Sequence, residues 1–444
     1  MTATAERRPW GAALLWLAVL TPFFFLSYGF AAWVTSQRRD VPSLVFGWEH
    51  RIPFLAWTIV PYWSTDLLYA LSLFLCRNRK KLNTHARRLL TAQIISVSVF
   101  LLLPLRFTFE RPLTAGLPGR MFDALMSFDK PFNQAPSLHL SLTTLLWAKY
   151  SQHLAGPALW LTRGWFLLVG LSTLTTYQHH FIDLPTGIWV GLLCLALFPD
   201  NPAPPRYRSS RNRQTMRVGA IYLAGSLLFV ALAIWIGGAA WWLLWPVGAL
   251  LIVAAVYWSG RPELFGKVDG AIDPVMVWLL APYLAGAWLN SRWWTRADAA
   301  AQEIASGVWL GRMPRRTERD AQAIASIVDL TAELPADTSQ IVYRGIPMLD
   351  SVVPSVERLE AAVQAIEDLN GNRPTLVCCA LGYSRSAAAS AAWLVASGKA
   401  VSIDHAIESI QARRWRIVLG PALRRRLEEW ASAKGQKDES GVRL

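Results

Sequence analysis

The sequence predicts a multi-domain protein in which an α-helical polytopic membrane domain is followed by a small α/β domain. Hydrophobic residues make up 53% of the 444 residues and the mean hydropathy is +0.28, which is high for a soluble globular chain. Apolar runs of about membrane-spanning length continue to roughly residue 290. From about residue 295 the apolar runs are shorter, and strand-like and helix-like periods alternate as in α/β domains.

Eight apolar runs are predicted to span the membrane, because each is near or somewhat below the ~20 residues that a helix needs to cross a bilayer. They lie near residues 10–34, 54–76, 89–106, 136–151, 157–176, 181–199, 218–238 and 241–259. The first run has no small-residue cleavage site and is expected to be retained. The 23 tryptophans fit a chain with many membrane–water boundaries, where indole rings accumulate.

The charged loops predict the orientation of these spans. Basic loops at 77–88 and 206–217 follow the second and sixth spans, which places both loops and the N-terminus in the cytoplasm. The loop at 107–135 then faces outward. A ninth apolar stretch, 272–289, is short and contains Pro282, so we expect an interfacial or re-entrant helix that leaves the C-terminal part in the cytoplasm. The expected location is multi-pass in the inner or plasma membrane.

Five segments follow from these features. They are a six-helix membrane domain at 1–200, a basic Pro-containing cytoplasmic linker at 201–217, two additional spans plus the interfacial or re-entrant helix at 218–290, an α/β domain at 295–435 and a disordered tail at 436–444. The net charge of +14 follows the loops between spans, so membrane lipids are expected partners and nucleic acid is not. The four cysteines lack the spacing of a disulfide framework or a zinc site.

The α/β domain is expected to contain short strands and longer helices. Strands are predicted at 307–311, 327–330, 341–343 and 375–378. Helices are predicted at 355–370, 386–397, 402–414 and 421–433. Their alternation suggests a central sheet.

The loop after the last predicted strand is the most informative stretch. Five residues separate Cys379 from Arg385, and Ser386 opens an Ala-rich helix. Backbone N–H groups in such a loop, those of Gly382 and Ser384 among them, cradle an anion at a helix N-terminus. The same field favours the thiolate form of a cysteine, and a guanidinium can bind two phosphate oxygens. The loop therefore predicts a site where a thiolate attacks bound phosphate.

Two further groups complete this predicted chemistry. Asp350 lies in a loop after a strand, 29 residues before Cys379, and could protonate the leaving oxygen. Its alternative role is a helix-cap or loop carboxylate. The Ser386 hydroxyl could stabilise the thiolate when it leaves again.

Residues of about 300–433 resemble the dual-specificity branch of the cysteine-based protein tyrosine phosphatases, whose signature is His-Cys-x5-Arg-Ser/Thr with an upstream Asp. The resemblance implies a phosphomonoesterase in which Cys379 is the nucleophile and Arg385 the phosphate clamp. It also implies that Ser386 supplies the hydroxyl and Asp350 the acid. The residue before the nucleophile is Cys378 instead of His. We expect a packed strand cysteine there, with a Cys378–Cys379 redox pair as the alternative.

Three polar motifs lie at or near the outer ends of predicted spans, where polar groups are costly and usually functional. They are Arg106-Phe-Thr-Phe-Glu-Arg-Pro112, Pro136-Ser-Leu-His139 and Gln178-His-His-Phe-Ile-Asp183. His179 and Asp183 would share one face of a helix, so that Asp183 could orient the imidazole while His179 attacks a phosphoryl group. His139 could protonate the leaving oxygen. Arg106 and Arg111 could hold the phosphate oxygens.

Residues of about 55–200 resemble the type 2 phosphatidic acid phosphatase superfamily, whose motifs are Lys-x6-Arg-Pro, Pro-Ser-Gly-His and Ser-Arg-x5-His-x3-Asp. The matching residues are Arg111, Pro112, Pro136, Ser137, His139, Ser172, His179 and Asp183. The departures are Pro104 at the Lys position, Leu138 at the Gly position and Thr173 at the Arg position. The resemblance implies a helical bundle with an outward-facing lipid phosphate site, to which Ser137 contributes.

Together, the two resemblances predict a bifunctional membrane phosphatase that acts on a phosphorylated lipid and/or a phosphoprotein. No cofactor or metal is implied, because both reactions use covalent intermediates. One alternative is that the membrane half transfers a phospho-headgroup between lipids, as inositolphosphotransferases or sphingolipid synthases do. Another is a membrane-anchored phosphate-binding module without catalysis, although a binder needs neither Asp350 nor Cys379.

Overall fold

The computed structural model describes residues 8–201, 207–371 and 374–441. The chain forms two compact units. The first contains the helices that precede residue 201, and the second contains most of the chain from residue 207 onward. Residues 202–206 of the predicted linker and 442–444 of the predicted tail lie outside the described residues.

Helices build the described part of the first unit. They are α1 (Trp10–Ser36), α2 (Ile59–Phe74), α3 (Arg79–Leu102), α4 (Gly116–Met126), α5 (Leu138–Ser151), α6 (Gly156–Thr175) and α7 (Asp183–Leu197). Helices α1, α3, α5 and α7 share a core that includes Ala31, Leu89, Leu145 and Cys194. All but α4 overlap predicted spans, although α3 begins at Arg79, within the stretch predicted to be a basic loop before the span at 89–106. The short helix α4 lies within the loop at 107–135, where no helix was predicted.

Three apolar helices open the second unit: α8 (Arg213–Ile236), α9 (Leu244–Ser259) and α10 (Pro274–Trp294). A hairpin of β1 (Lys267–Val268) and β2 (Ala271–Ile272) joins α9 to α10. Helix α10 is continuous through Pro282, and its interfacial or re-entrant placement stays a prediction. Proline removes one backbone hydrogen bond, and the Trp278 carbonyl that loses its partner accepts from Trp245 Nε1 at 2.9 Å instead.

Four of the described helices are long and apolar enough to cross a membrane: Trp10–Ser36, Gly156–Thr175, Arg213–Ile236 and Gly238–Ser259, the last with a 3₁₀ turn before α9. Three predicted spans form shorter helices, of 16 residues in α2, 14 in α5 and 15 in α7. The helix in the span predicted at 181–199 begins only at Asp183, because residues 181 and 182 belong to the preceding turn. Large apolar side chains such as Leu26 and Trp235 remain exposed, as expected of lipid-facing surfaces.

A five-stranded sheet forms the centre of the α/β domain, in the order β3-β4-β7-β5-β6. Its strands are β3 (Ala301–Ala305), β4 (Val308–Arg312), β5 (Ser326–Thr331), β6 (Val342–Met348) and β7 (Thr375–Cys379). Strands β4, β7, β5 and β6 run parallel, while β3 pairs antiparallel at the edge. The four predicted strands correspond to β4–β7. Strand β3 was not predicted, because it lacks the run of β-branched and aromatic residues that marks a strand.

Helices pack around this sheet: α11 (Arg316–Ala321), α12 (Val356–Leu369), α13 (Arg385–Ala396), α14 (Ile403–Gln411) and α15 (Pro421–Gly441). The last four confirm the predicted helices. Helix α15 continues to Gly441, which corrects the predicted disorder for residues 436–441, because Gln, Lys and Glu in this stretch favour helix. The parallel strands β5, β6 and β7 end at the same edge of the sheet, so the loops that follow them converge there.

Candidate active site

The loop from β7 to α13 folds around the thiol of Cys379. Its Sγ accepts hydrogen bonds from Gly382 N at 3.2 Å and from Ser386 Oγ at 3.2 Å. Both donors would stabilise negative charge on the sulfur. The thiol is buried at the N-terminus of α13, so the structure places Cys379, Gly382 and Ser386 together as predicted.

Only glycine fits at the centre of this loop. Gly382 has a φ of +74°, and a Cβ there would lie 2.4 Å from the carbonyl carbon of Gly311 in β4. A side chain would therefore meet both backbone strain and a clash with β4. Arg414 holds the loop from the other side, donating from Nε to Gly382 O at 3.1 Å. Ser384 is the residue before α13, and its carbonyl accepts from Ala388 N.

The Arg385 guanidinium is buried beneath this loop. Its Nη2 lies 2.6 Å from Glu333 Oε1, and its Nη1 lies 3.1 Å from Glu333 Oε2. Burial raises the pKa of the Glu333 carboxyl, but the adjacent Arg385 charge and hydrogen bonds outweigh it, and the net pKa is lowered. Burial lowers the pKa of Arg385, but the Glu333 and Asp350 charges raise it overall. Both groups of the pair are therefore charged at neutral pH.

Glu333 was missed by the sequence analysis. It has no fixed spacing to Cys379, and its partner is 52 residues away along the chain. One feature of the sequence could have indicated Glu333, because it follows the buried strand β5. The end of β5 lies beside the end of β7 in the sheet. A carboxylate at this edge of a parallel sheet is a candidate partner for a cation there.

Asp350 lies on the exposed side of the guanidinium. Its Oδ1 is 3.0 Å from Arg385 Nη2, and its side chain is 47% exposed. Its Oδ2 accepts from Ser351 Oγ at 3.1 Å. The carboxylate thus reaches the guanidinium from the side that faces solvent.

Cys378 belongs to the opposite face of β7. Successive strand residues point to opposite faces of the sheet. Cys378 packs with Ile327 and Leu376 on one face, whereas Cys379 packs in the hydrophobic core on the other face. Burial, together with the charge of Asp329, raises the pKa of the Cys378 thiol. This environment favours the packed strand cysteine over the redox pair.

A second polar cluster lies in the first unit. His179 Nε2 is 3.1 Å from Ser137 Oγ, and His179 Nδ1 is 3.1 Å from Asp183 Oδ2, with all three residues buried. The predicted pairing of His179 with Asp183 is present, but its basis is corrected. Asp183 is the first residue of α7 and His179 lies in the preceding turn, so they do not share a helical face.

The other predicted members of this site make contacts of their own. His139 stacks on Tyr62 at 4.2 Å. Among the residues that the structure describes, neither Arg106 nor Arg111 forms a hydrogen bond or ion pair with His179, and their role in holding phosphate stays a prediction. Arg111 lies 4.5 Å over the Phe122 ring, because α4 presents that ring to it, and Arg106 is exposed.

A buried carboxylate beside this cluster was also missed. Glu49 Oε2 lies 3.0 Å from His180 Nδ1 and accepts from Phe181 N. It comes from a short 3₁₀ turn that precedes α2, far from the histidine motif along the chain. The His180 ring is therefore paired with Glu49, and the His179 ring is the one paired with Asp183.

Comparison with known proteins identifies the α/β domain. The family described as dual specificity phosphatase, catalytic domain, matches residues 308–433. The type 2 phosphatidic acid phosphatase superfamily gives no match, so that resemblance stays a prediction. No curated protein matches the chain.

Solved phosphatase structures are similar to about a third of the chain. PTPMT1 in complex with PI(5)P is 21% identical, covering 31% of this chain and 99% of that chain with a TM-score of 0.28. Tk-PTP in the active form is 26% identical, covering 30% and 95% with a TM-score of 0.27. Human DUSP28 is 19% identical, covering 31% and 99% with a TM-score of 0.29.

Proposed function

We propose that the chain is a membrane-anchored phosphomonoesterase that uses Cys379 on the cytoplasmic side, within the dual-specificity phosphatase domain matched at residues 308–433. The observation that carries this proposal is the geometry around sulfur. Two donors lie 3.2 Å from Cys379 Sγ, and a buried guanidinium is fixed by Glu333 beside the same loop. The four apolar helices support the membrane anchor.

The first chemical step transfers the phosphoryl group to sulfur. The substrate phosphate binds to the loop N–H groups and to Arg385, displacing Asp350 from the guanidinium. The Cys379 thiolate attacks phosphorus, the new P–S bond forms and the P–O bond to the leaving group breaks. Asp350, in its protonated form, gives its proton to the leaving oxygen, which departs as an alcohol.

The second step restores the enzyme. Water attacks the phosphocysteine, and the Asp350 carboxylate accepts a proton from it. The P–S bond breaks, inorganic phosphate leaves and the electron pair returns to the Cys379 sulfur. The Ser386 hydroxyl stabilises that leaving thiolate, as its 3.2 Å contact allows.

Phosphate release from p-nitrophenyl phosphate by the full-length protein tests this proposal. In a His179→Ala background, which lacks the second candidate nucleophile, Cys379→Ser removes the thiolate and is expected to lower the rate by about 10³-fold or more. Cys378→Ala is the matched control, since it alters the neighbouring cysteine on the opposite face of β7. Undiminished release by Cys379→Ser would refute the proposal.

A second candidate function belongs to the first unit. We propose that His179 attacks a lipid phosphate while Asp183 orients its ring, which makes the chain bifunctional. The Ser137–His179–Asp183 contacts favour this function. In a Cys379→Ser background, His179→Ala should abolish the remaining phosphate release from phosphatidic acid, whereas His153→Ala should not. Labelled headgroup appearing on a second lipid, without free phosphate, would favour the transferase alternative.

A further inference from the structure

The loop that carries Asp350 is attached to the end of the hairpin formed by α8 and α9. Gln214 Oε1, in the first turn of α8, accepts from Val353 N at 3.1 Å. The hydroxyl of Tyr257, in the last turn of α9, donates to Asp350 O at 3.1 Å. These helices lie in two of the four segments that are long and apolar enough to cross a membrane. With α8 and α9 crossing the membrane, the loop that carries Asp350 lies at the membrane surface.

The catalytic loop is attached to the third apolar helix. Ser291 Oγ, near the end of α10, donates to the carbonyl of Ala380. The hydroxyl of Tyr383 donates to the carbonyl of Trp294 at 3.1 Å. Tyr383 lies between Cys379 and Arg385 along the chain. The loop that cradles the phosphate is therefore fixed to an apolar helix as well as to its own domain.

A set of aromatic and basic side chains, exposed except for the half-buried Arg416, flanks Tyr383, and we call it the tryptophan–arginine patch. It consists of Trp293 and Arg296 at the end of α10, and of Trp415 and Arg416 after α14. The two indoles are 65% and 71% exposed. Each arginine lies over its neighbouring indole, at 4.1 Å for Arg296 and 4.6 Å for Arg416.

Asp298 connects the two halves of this patch to the catalytic loop. It accepts from the Tyr383 hydroxyl and lies 3.4 Å from Arg416 Nη1. In addition, Val418 N donates to Tyr383 O at 2.8 Å. The patch is thus held at the catalytic loop by several short contacts.

Tryptophan and arginine side by side match the chemistry of a lipid headgroup layer. Indole rings favour the membrane–water boundary, and arginines near an anionic surface bind lipid phosphates. We propose that the tryptophan–arginine patch lies on the headgroups of an anionic membrane, so that the Cys379 site takes its phosphomonoester from a membrane lipid. This inference rests on the proposed phosphomonoesterase function. The ends of α8 and α9 beside Asp350 favour a lipid over a phosphopeptide, because a lipid reaches this level of the membrane by lateral diffusion alone.

The test uses the full-length His179→Ala protein, in which the second candidate site is removed, reconstituted in phosphatidylcholine–phosphatidylglycerol vesicles. Phosphate release is measured from phosphatidylinositol 4-phosphate in the same vesicles, from p-nitrophenyl phosphate and from a phosphotyrosine peptide. Arg296→Gln/Arg416→Gln should lower the ratio of lipid to p-nitrophenyl phosphate hydrolysis by about tenfold. Arg296→Gln alone, which spares the contact with Asp298, should lower the ratio by a smaller factor.

Arg344→Gln/Arg425→Gln is the matched control, because it removes the same charge from exposed positions elsewhere in the domain. It should leave the ratio unchanged. Replacing phosphatidylglycerol by phosphatidylcholine should lower the ratio for the parent protein and not for the patch variant. An unchanged ratio in both patch variants, or faster hydrolysis of the peptide than of the lipid, would overturn the inference. Failure of the parent protein to hydrolyse any of the three substrates would instead refute the Cys379 function.

Discussion

Glu333 holds Arg385 through two nearly parallel contacts, 2.6 Å between Oε1 and Nη2 and 3.1 Å between Oε2 and Nη1. Both side chains are buried, and Arg385 also donates to Met348 O at 2.9 Å. A bidentate carboxylate fixes the plane of a guanidinium, which is otherwise free to rotate on its long side chain. The Arg385 guanidinium is therefore already oriented by Glu333, as the proposed binding of a phosphate requires.

Glu333→Gln should weaken the phosphate clamp. A neutral amide keeps the shape of the side chain but loses a charge-assisted pair, so kcat/KM for p-nitrophenyl phosphate should fall about 10- to 100-fold. Steady-state kinetics below the melting temperature of the variant measure the change. Glu318→Gln is the control, since Glu318 pairs with Arg312 and not with Arg385. Equal losses in the two variants would contradict a specific role for Glu333.

The same pair should make the stability of the domain depend on acid pH. Because the folded-state pKa of Glu333 is lowered, its ionisation stabilises the fold above the unfolded pKa, and this stabilisation is lost as pH falls through the folded pKa. Glu333→Gln should therefore lower the Tm near neutral pH, and the Tm difference from the parent protein should shrink on acidification. Thermal melts of both proteins from neutral to acid pH measure this Tm difference. A difference that grows as pH falls would contradict the sign of the shift.

Ser386→Ala should slow the second chemical step more than the first. The hydroxyl lies 3.2 Å from the sulfur that must leave as a thiolate, and losing a hydrogen bond to a charged group costs about 1.5–3 kcal/mol. Rapid mixing should then show a burst of p-nitrophenol followed by a slower steady state. Ser390→Ala, one turn further along α13 and also buried, is the control and should show no new burst. A burst in neither variant would contradict the assigned role.

Gly382→Ala should disrupt the catalytic loop. The positive φ and the 2.4 Å approach to the Gly311 carbonyl carbon oppose any side chain, with a backbone cost of about 1–3 kcal/mol before the clash is counted. Activity should fall sharply, and the Tm of the domain should fall with it. Gly420→Ala is the control, since a Cβ there meets no atom within 4 Å. Retained activity in Gly382→Ala would contradict the tight-turn geometry.

Local patterns in the sequence were enough to predict the structure of the loop between Cys379 and Arg385. Strand β7, the mid-loop Gly382 and the start of α13 are encoded within a dozen neighbouring residues, and Asp350 could be proposed from its position after a strand. Glu333 could not be assigned in this way, because its contact with Arg385 depends on the order of strands in the sheet. Neither could the contact of Tyr257 with Asp350, which joins an apolar helix to a loop 93 residues later.

The helical unit shows the same limit. The pairing of His179 with Asp183 was predicted from spacing, although the two residues meet across a turn and not along one helix. The arginine clamp was predicted from motif positions alone and stays a prediction, while the contact of Arg111 with the Phe122 ring of α4 could not be read from those positions. Spacing fixes what neighbouring residues can reach, whereas long-range packing decides where a flexible arginine lies.

The most direct test is to identify the residue that carries phosphate during turnover. Full-length protein is mixed with excess p-nitrophenyl phosphate, quenched within the lifetime of the intermediate and digested for mass spectrometry. Ser386→Ala should increase the amount of phosphocysteine that is trapped, because the intermediate breaks down more slowly in this variant. The expected result is a phosphate on Cys379 that is absent from Cys379→Ser. Phosphate release that continues in Cys379→Ser, with no phosphorylated Cys379 in the parent protein, would contradict the mechanism.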